Sequence, residues 1–152
     1  MNNIYKFEIV EDIKRFIVGG NAIITLESKK TGTWFTFKIK KSKKDKDVEN
    51  APLFVYVLVG PDNENSYTYM GTIFNCNTFK LTKNSKIKES ALSYKAFTFF
   101  FNLLQKNKVH NEMNVYHRGV CCVCGRTLTT APSLKNGIGP FCSGRLNKKI
   151  KS

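Results

Sequence analysis

Three thiols and one imidazole stand at metal-ligand spacing late in the chain. Cys121 and Cys124 form a C-x2-C pair, His117 lies four residues before it, and Cys142 lies eighteen residues after it. Two residues between paired cysteines let the backbone fold back so that both sulfurs meet one ion. Gly125, directly after the pair, can take the positive φ that such a turn needs. One imidazole and three thiolates make a complete tetrahedral set for zinc, and four protein ligands leave no position for a catalytic water. The expected role of the metal is therefore structural. His110 and Cys122 are alternatives to His117 as the fourth ligand, although Cys122, flanked by the knuckle, is expected to point away from the ion. The competing reading is disulfide chemistry. An odd count of five cysteines and no secretory leader at the start argue against it. Cys76, alone between two asparagines, reads as a hairpin or core residue.

The second chemistry is electrostatic. A formal net charge of +14 favours a polyanionic partner, nucleic acid above all. Twenty-one of the 25 basic residues are lysine and asparagine reaches 15, a pattern that an AT-rich coding sequence produces without selection for binding. The four arginines are more informative. Three of them, Arg118, Arg126 and Arg145, cluster around the metal candidates, and the planar guanidinium pairs bidentately with phosphate. Lys148 and Lys149 follow them. Upstream, Trp34, Lys38 and Lys40 share one face of an expected strand, where an aromatic among lysines suits single-stranded nucleic acid because every base has a stackable face. Lys41, Lys43 and Lys44 continue into a lysine-rich loop expected to be mobile. DNA and RNA are equally open.

Catalysis finds little support. The two histidines both lie near the metal candidates, no paired carboxylates stand out, and Gly137-Ile-Gly-Pro does not follow a strand as a phosphate-cradling loop would. A zinc deaminase would need His-x-Glu before its cysteine pair, which His117-Arg-Gly lacks. The expectation is a non-enzyme with no small-molecule substrate. The longest apolar run, Leu53 to Val59, is too short to span a bilayer, so no membrane association is expected and the location reads as cytoplasmic.

The elements that would position these residues are legible from periodicity. An extended start, Ile4 to Val10, leads to a short helix carrying Ile13, Phe16 and Ile17, stopped by Gly19-Gly20. Alternation from Ala22 to Leu26 and from Thr33 to Lys40, turned at Thr31-Gly32, predicts a β-hairpin with Phe35, Phe37 and Ile39 inward. Leu53 to Val59 reads as a central strand buried on both faces. After the polar turn Gly60-Pro-Asp-Asn-Glu-Asn, Tyr67 to Phe74 and Thr78 to Leu81 follow. Strict alternation would put Tyr67, Tyr69, Gly71 and Ile73 on one side of that fourth strand. Glu89 to Lys106 is the clearest helix, with Leu92, Ala96, Phe100 and Leu103 in one stripe widened by Phe97, Phe101 and Leu104. The expected class is α+β: an antiparallel sheet of about five strands with one long packed helix over residues 1–108. A small zinc-ribbon or treble-clef-like module over 109–152 would follow, with Cys142 in the first turn of a C-terminal helix.

The string Cys121-x-x-Cys124-Gly-Arg-x-Leu-Thr with Gly137-Ile-Gly-Pro-x-Cys142 resembles a zinc-ribbon-like domain of unknown function in hypothetical proteins of phages and mobile elements. A histidine matching His117 commonly precedes the knuckle there, and Gly20-Asn-Ala, Thr31-Gly and Gly60-Pro-Asp-Asn-Glu resemble segments that accompany it. The resemblance implies zinc and carries no activity. Two functions from different classes follow. One is a zinc-stapled nucleic-acid-binding protein. The other is a protein-interaction module, an inhibitor or adaptor on a host nuclease, polymerase or defence complex.

Overall fold

The structure, a computed structural model, describes residues 5–45, 48–59 and 66–139. Its elements run β1 (Tyr5–Lys6), α1 (Val10–Ile17), β2 (Asn21–Ser28), β3 (Trp34–Lys41), β4 (Leu53–Leu58), β5 (Tyr67–Phe74), β6 (Thr78–Lys80), α2 (Leu92–Gln105), β7 (Met113–His117) and α3 (Ala131–Asn136). A short 3-10 turn over Lys43–Asp45 occupies the lysine-rich loop. The class is α+β, with an antiparallel sheet in the order β1-β7-β2-β3-β4-β5-β6. The expected meander from β2 to β6 is present. The sheet has seven strands, however, where about five were expected. The two added strands are β1, only two residues long, and β7, which inserts between β1 and β2.

β7 escaped the sequence reading for a physical reason. Met113, Val115 and His117 point to one face and Asn114 and Tyr116 to the other, so His117 is the third inward residue of a short alternating strand. Its imidazole read as a ligand and so hid the period. The boundary expected between residues 108 and 109 thus falls four residues before a strand of the same sheet, and no separate zinc module is seen among the described residues.

The core lies on one face. Ile24 and Leu26 of β2, Phe37 and Ile39 of β3, Leu53, Val55 and Val57 of β4, and Met70 and Ile73 of β5 are all buried there. α1 packs on it through Ile13, Phe16 and Ile17, with Phe16 against Phe7 of the first segment. Gly20, with φ of 99°, makes the reversal into β2 that other residues would take at a cost. α2 covers the other half. Phe97 meets Phe37 at 5.0 Å and Phe79 at 4.8 Å between ring centroids, and Gly71 leaves room for Phe79, whose ring would lie 2.8 Å from a Cβ there. The buried side of α2 runs through Phe97, Phe100, Phe101 and Leu104, whereas Leu92, expected in the stripe, is 69% exposed at the first turn.

Two further expectations are corrected. β4 is not buried on both faces: Leu53, Val55 and Val57 are buried, while Phe54, Tyr56 and Leu58 are half-buried on the opposite side. β5 does not alternate strictly, because a bulge sets Tyr69 opposite Tyr56 and Gly71 opposite Val55, with Met70 as the extra residue. Tyr67 and Tyr69 therefore face away from the core while Gly71 and Ile73 face it. The Gly60 to Asn65 turn lies outside the described residues.

Candidate nucleic-acid interface and cysteine knuckle

α1, α2 and α3 pack on the core face, through Phe16, through Phe97 against Phe37 and through the Leu134 carbonyl against His117, so among the described residues no helix covers the other face of the sheet. Cross-strand register builds its surface row by row. Trp34 stands beside Glu27, and Glu27 beside Asn114. In the next row Thr36, Thr25, Tyr116 and Lys6 follow one another across β3, β2, β7 and β1. Then come Tyr69, Tyr56, Lys38 and Ile23, and after them Lys80, Thr72, Phe54, Lys40 and Asn21. Neighbours in such rows have Cβ atoms about 5 Å apart, so their side chains touch. Aromatic rings and ammonium groups thus share one continuous face, with Lys38 beside Tyr56 and Lys40 beside Phe54.

The middle of this face is partly enclosed and its rim open. Thr25 and Thr36 are buried and share a 2.9 Å hydrogen bond, forming a floor. Trp34 at the rim is 61% exposed. The Lys38 ammonium sits 4.4 Å from the centre of the Tyr67 ring, a cation over an aromatic face. Tyr56 meets Tyr69 edge-on at 5.8 Å. Burial pushes the Tyr67 phenol up from its ordinary value while the positive charge of Arg118 pulls the other way, which puts Arg118 in electrostatic reach of this same face. The Tyr67 hydroxyl is buried and has no hydrogen-bond partner among the described residues.

Of the basic and aromatic residues singled out from sequence, the sheet therefore brings together Trp34, Lys38 and Lys40, while Arg118 follows β7 directly and acts on Tyr67 through its charge. Lys41 falls on the opposite parity, opposite Leu53, and its ammonium donates to the Val48 carbonyl at 3.4 Å. Lys43 and Lys44 are exposed in the 3-10 turn beyond β3. Arg126 is exposed on the knuckle loop, and Arg145, Lys148 and Lys149 lie outside the described residues. Sequence reasoning missed Glu27, Tyr56, Tyr67, Tyr69, Asn114 and Tyr116 as members of this face. The signal is present as period two in each strand, but only the Trp34 strand shows an aromatic among lysines within its own sequence.

The chain turns directly after the cysteine pair, at Gly125. The Gly125 N–H donates to the Cys121 carbonyl at 3.0 Å, and Gly125 takes φ of 78°. The N–H of Val123 donates to Cys121 Sγ at 3.4 Å and that of Gly139 at 3.3 Å. Burial works to raise the Cys121 pKa, but the N–H groups of Gly139, Cys124 and Val123 outweigh it and hold the thiol below its ordinary value. Those amides stabilise a thiolate, the form that binds a metal. Cys124 is exposed three residues on, and none of the described cysteines forms a disulfide. Cys142 lies outside the described residues, as does the helix expected to hold it. Among the described residues no three groups of ligand type converge.

The fourth-ligand candidates separate clearly. His117 is buried, its Nδ1 accepts from the Gly119 N–H at 3.0 Å, and its Nε2 pairs with the Leu134 carbonyl at 2.6 Å. Because a backbone amide can only donate, Nδ1 is the acceptor and Nε2 carries the hydrogen. Both ring nitrogens are thus engaged, and the ring stacks on Tyr5 at 5.5 Å and tilts against Phe7 and Phe16. In this arrangement His117 is a strut joining the sheet to α3, with no lone pair for a metal. His110 stands at the far end of β7, about 16 Å of strand away from the knuckle. Cys122 is fully buried against Gly19, where a Cβ would come within 2.5 Å of its Sγ. Its backbone ties the knuckle down, accepting from the Asn21 N–H at 2.7 Å and donating to the Gly137 carbonyl at 3.1 Å.

α3 frames the other side. Thr130 caps it by accepting from the Ser133 N–H at 3.4 Å, and Gly137 ends it in the left-handed region at φ of 76°. Thr-x-Pro before and Gly after were legible helix punctuation that the metal reading passed over.

No helix among the described residues is long and apolar enough to cross a membrane. Comparison with curated proteins and with solved structures found no match. Residues 113–147, from the first residue of β7 past the last cysteine, match a family of unknown function (DUF6011).

Proposed function

We propose that this protein binds single-stranded nucleic acid on the face of its sheet opposite α1 and α2 and is not an enzyme. The observation that carries the reading is one sheet face that holds Trp34, Tyr56, Tyr67 and Tyr69 together with Lys6, Lys38, Lys40 and Lys80, with Lys38 directly beside Tyr56 and over the Tyr67 ring, in a chain of net charge +14. Rings stack on bases of any identity, and ammonium groups between them meet the phosphates that alternate with those bases. A duplex keeps its bases stacked on one another and presents only their edges in the grooves, so it offers the rings no face to stack on. Zinc belongs to the same proposal as a staple held by Cys121, Cys124 and Cys142, supported by the amides already turned toward Cys121 Sγ. A phage or mobile-element origin and a cytoplasmic location fit this reading.

Trp34 is the single tryptophan, so its fluorescence reports on the face directly. Addition of an oligothymidylate of about ten nucleotides should quench it with low-micromolar affinity in low salt, and duplex of the same length should quench it less. Absence of binding by any DNA or RNA would overturn the proposal and leave the acidic surface of a host protein as the partner that matches the charge.

A further inference from the structure

The far row of this face, Trp34, Glu27 and Asn114, holds an acidic group. Glu27 projects between Trp34 on β3 and Asn114 on β7, and its carboxylate is held in place by two donors on a single oxygen. Asn114 Nδ2 donates to Oε1 at 3.1 Å and the Tyr116 hydroxyl donates to the same Oε1 at 2.8 Å. An ionised carboxylate cannot donate, so this contact fixes the Asn114 amide with its nitrogen toward Glu27. The carboxylate offers about four lone-pair sites. Two are taken on Oε1, and Oε2 has no hydrogen-bond partner among the described residues. A protein whose surface serves only to attract phosphate gains nothing from an oriented anion beside its most exposed aromatic ring.

We propose that Trp34, Glu27, Asn114 and Tyr116 form a base-reading subsite with preference for guanine. The inference rests on the nucleic-acid reading of the same face. Trp34 supplies the stacking plane, and its strand neighbour Glu27 presents Oε2 to the edge of the stacked base. Single-stranded bases are read on their Watson–Crick edges. Guanine alone offers two adjacent donors there, N1–H and an N2–H, which point the same way and converge on one oxygen as the two N–H groups of a urea do. Adenine and cytosine each set a ring-nitrogen acceptor next to their amino donor, and thymine flanks its single N–H with two carbonyls, so each places lone pairs against the carboxylate. Lys6, whose charge acts on Glu27, is placed to meet the phosphate of the same nucleotide. Asn114 and Tyr116 are positioning residues. The hydrogen bonds from Asn114 and then Tyr116 also hold the Glu27 carboxyl below the ordinary carboxylate range, which keeps it an acceptor.

The test uses the full chain and thymidine decamers carrying one central guanine, hypoxanthine, adenine or cytosine, read by Trp34 quenching. The guanine decamer should bind about tenfold tighter than all-thymidine, the scale of one good bidentate base contact. Hypoxanthine, which keeps N1–H and lacks N2–H, should fall between them. Glu27→Gln keeps an oxygen for Asn114 and Tyr116 and removes the anion; in that variant the guanine decamer should bind no tighter than all-thymidine. Equal binding of the four decamers overturns the subsite and leaves the general reading standing. A guanine preference that survives Glu27→Gln overturns the role of Glu27. Failure of every decamer to bind overturns the underlying reading and the subsite with it.

Discussion

His117 illustrates how one side chain can carry two readings that differ by a few hydrogen bonds. Its position before the knuckle suits a ligand, yet its neighbours make it a buried neutral strut, and burial depresses its pKa with the Leu134 carbonyl acting weakly the other way. A folded-state pKa below the unfolded value near 6.5 means that the unfolded chain takes up the proton first. Stability should therefore be fully present above about pH 6.5 and decline as the pH falls through the depressed value. Denaturant titrations at pH 7.5 and 5.5, run with a chelator to remove any contribution from metal, should show that loss, and His117→Phe should lack the pH-dependent part while being less stable at neutral pH. Equal pH dependence in the variant would contradict the strut. At the open face, Trp34→Ala should weaken binding to all single strands by roughly 1–3 kcal/mol, the worth of one stacked base, with no change in folding because the ring is mostly exposed. Circular dichroism and an oligonucleotide titration of the variant, followed by anisotropy of a labelled strand, check both halves.

At the scale of elements, the knuckle and α3 depend on glycines set against rings. A Cβ on Gly137 would lie 2.5 Å from the Phe16 ring, and one on Gly119 would lie 2.7 Å from the Tyr5 ring; both glycines have φ near 75°. Gly137→Ala should cost on the order of 1–3 kcal/mol from strain and clash together. It should also loosen the knuckle, because the Gly137 carbonyl receives the Cys122 N–H. Thermal melts and thiol-reagent accessibility of Cys121 would register the two effects, and a fully protected Cys121 in the variant would count against the coupling. Metal belongs to the same scale. Protein purified without added metal should carry about one equivalent of zinc by elemental analysis, and Cys121→Ser should lose it. Less than about half an equivalent would remove zinc from the account.

The core elements were the legible ones, because burial imposes a period. Phe37 with Ile39, Ile13 with Phe16, and Phe97 with Phe101 declared β3, α1 and α2 through spacing alone. The short elements were hidden. β7 and α3 flank the cysteines; His117, a ligand candidate, masks the period of β7, and α3 is only six residues long. The bulge at Met70 was invisible, since nothing in Tyr-Met-Gly announces an extra residue until β4 is known to lie opposite. The candidate interface was half legible: Trp34, Lys38 and Lys40 came from one strand, but a surface to which all seven strands contribute needs the register.

For the whole molecule, charge sets the salt response. If four to six phosphates are neutralised, affinity for a single strand should fall roughly 50- to 300-fold between 50 and 200 mM salt, from a slope of about 0.7 per phosphate. Lys38→Gln with Lys40→Gln should flatten the logarithmic slope by about one unit or more. Neutralising Lys43 and Lys44 beyond β3 should change it less, and the reverse order would move the interface to the loop.

The place of β7 also governs when the sheet can be completed. β1, at residues 5 and 6, has β7 at residues 113–117 as its paired strand, and β2 has β7 along one edge. At ribosomal rates of about 5 to 20 residues per second, the first strand therefore waits roughly 5 to 20 seconds for its partner. Through that interval the β2–β6 meander can form while β2 presents a bare edge, with Ile24 and Leu26 beneath it, to any neighbouring chain. A nascent chain stalled before residue 113 should thus self-associate or recruit chaperones, and one released past residue 117 should not.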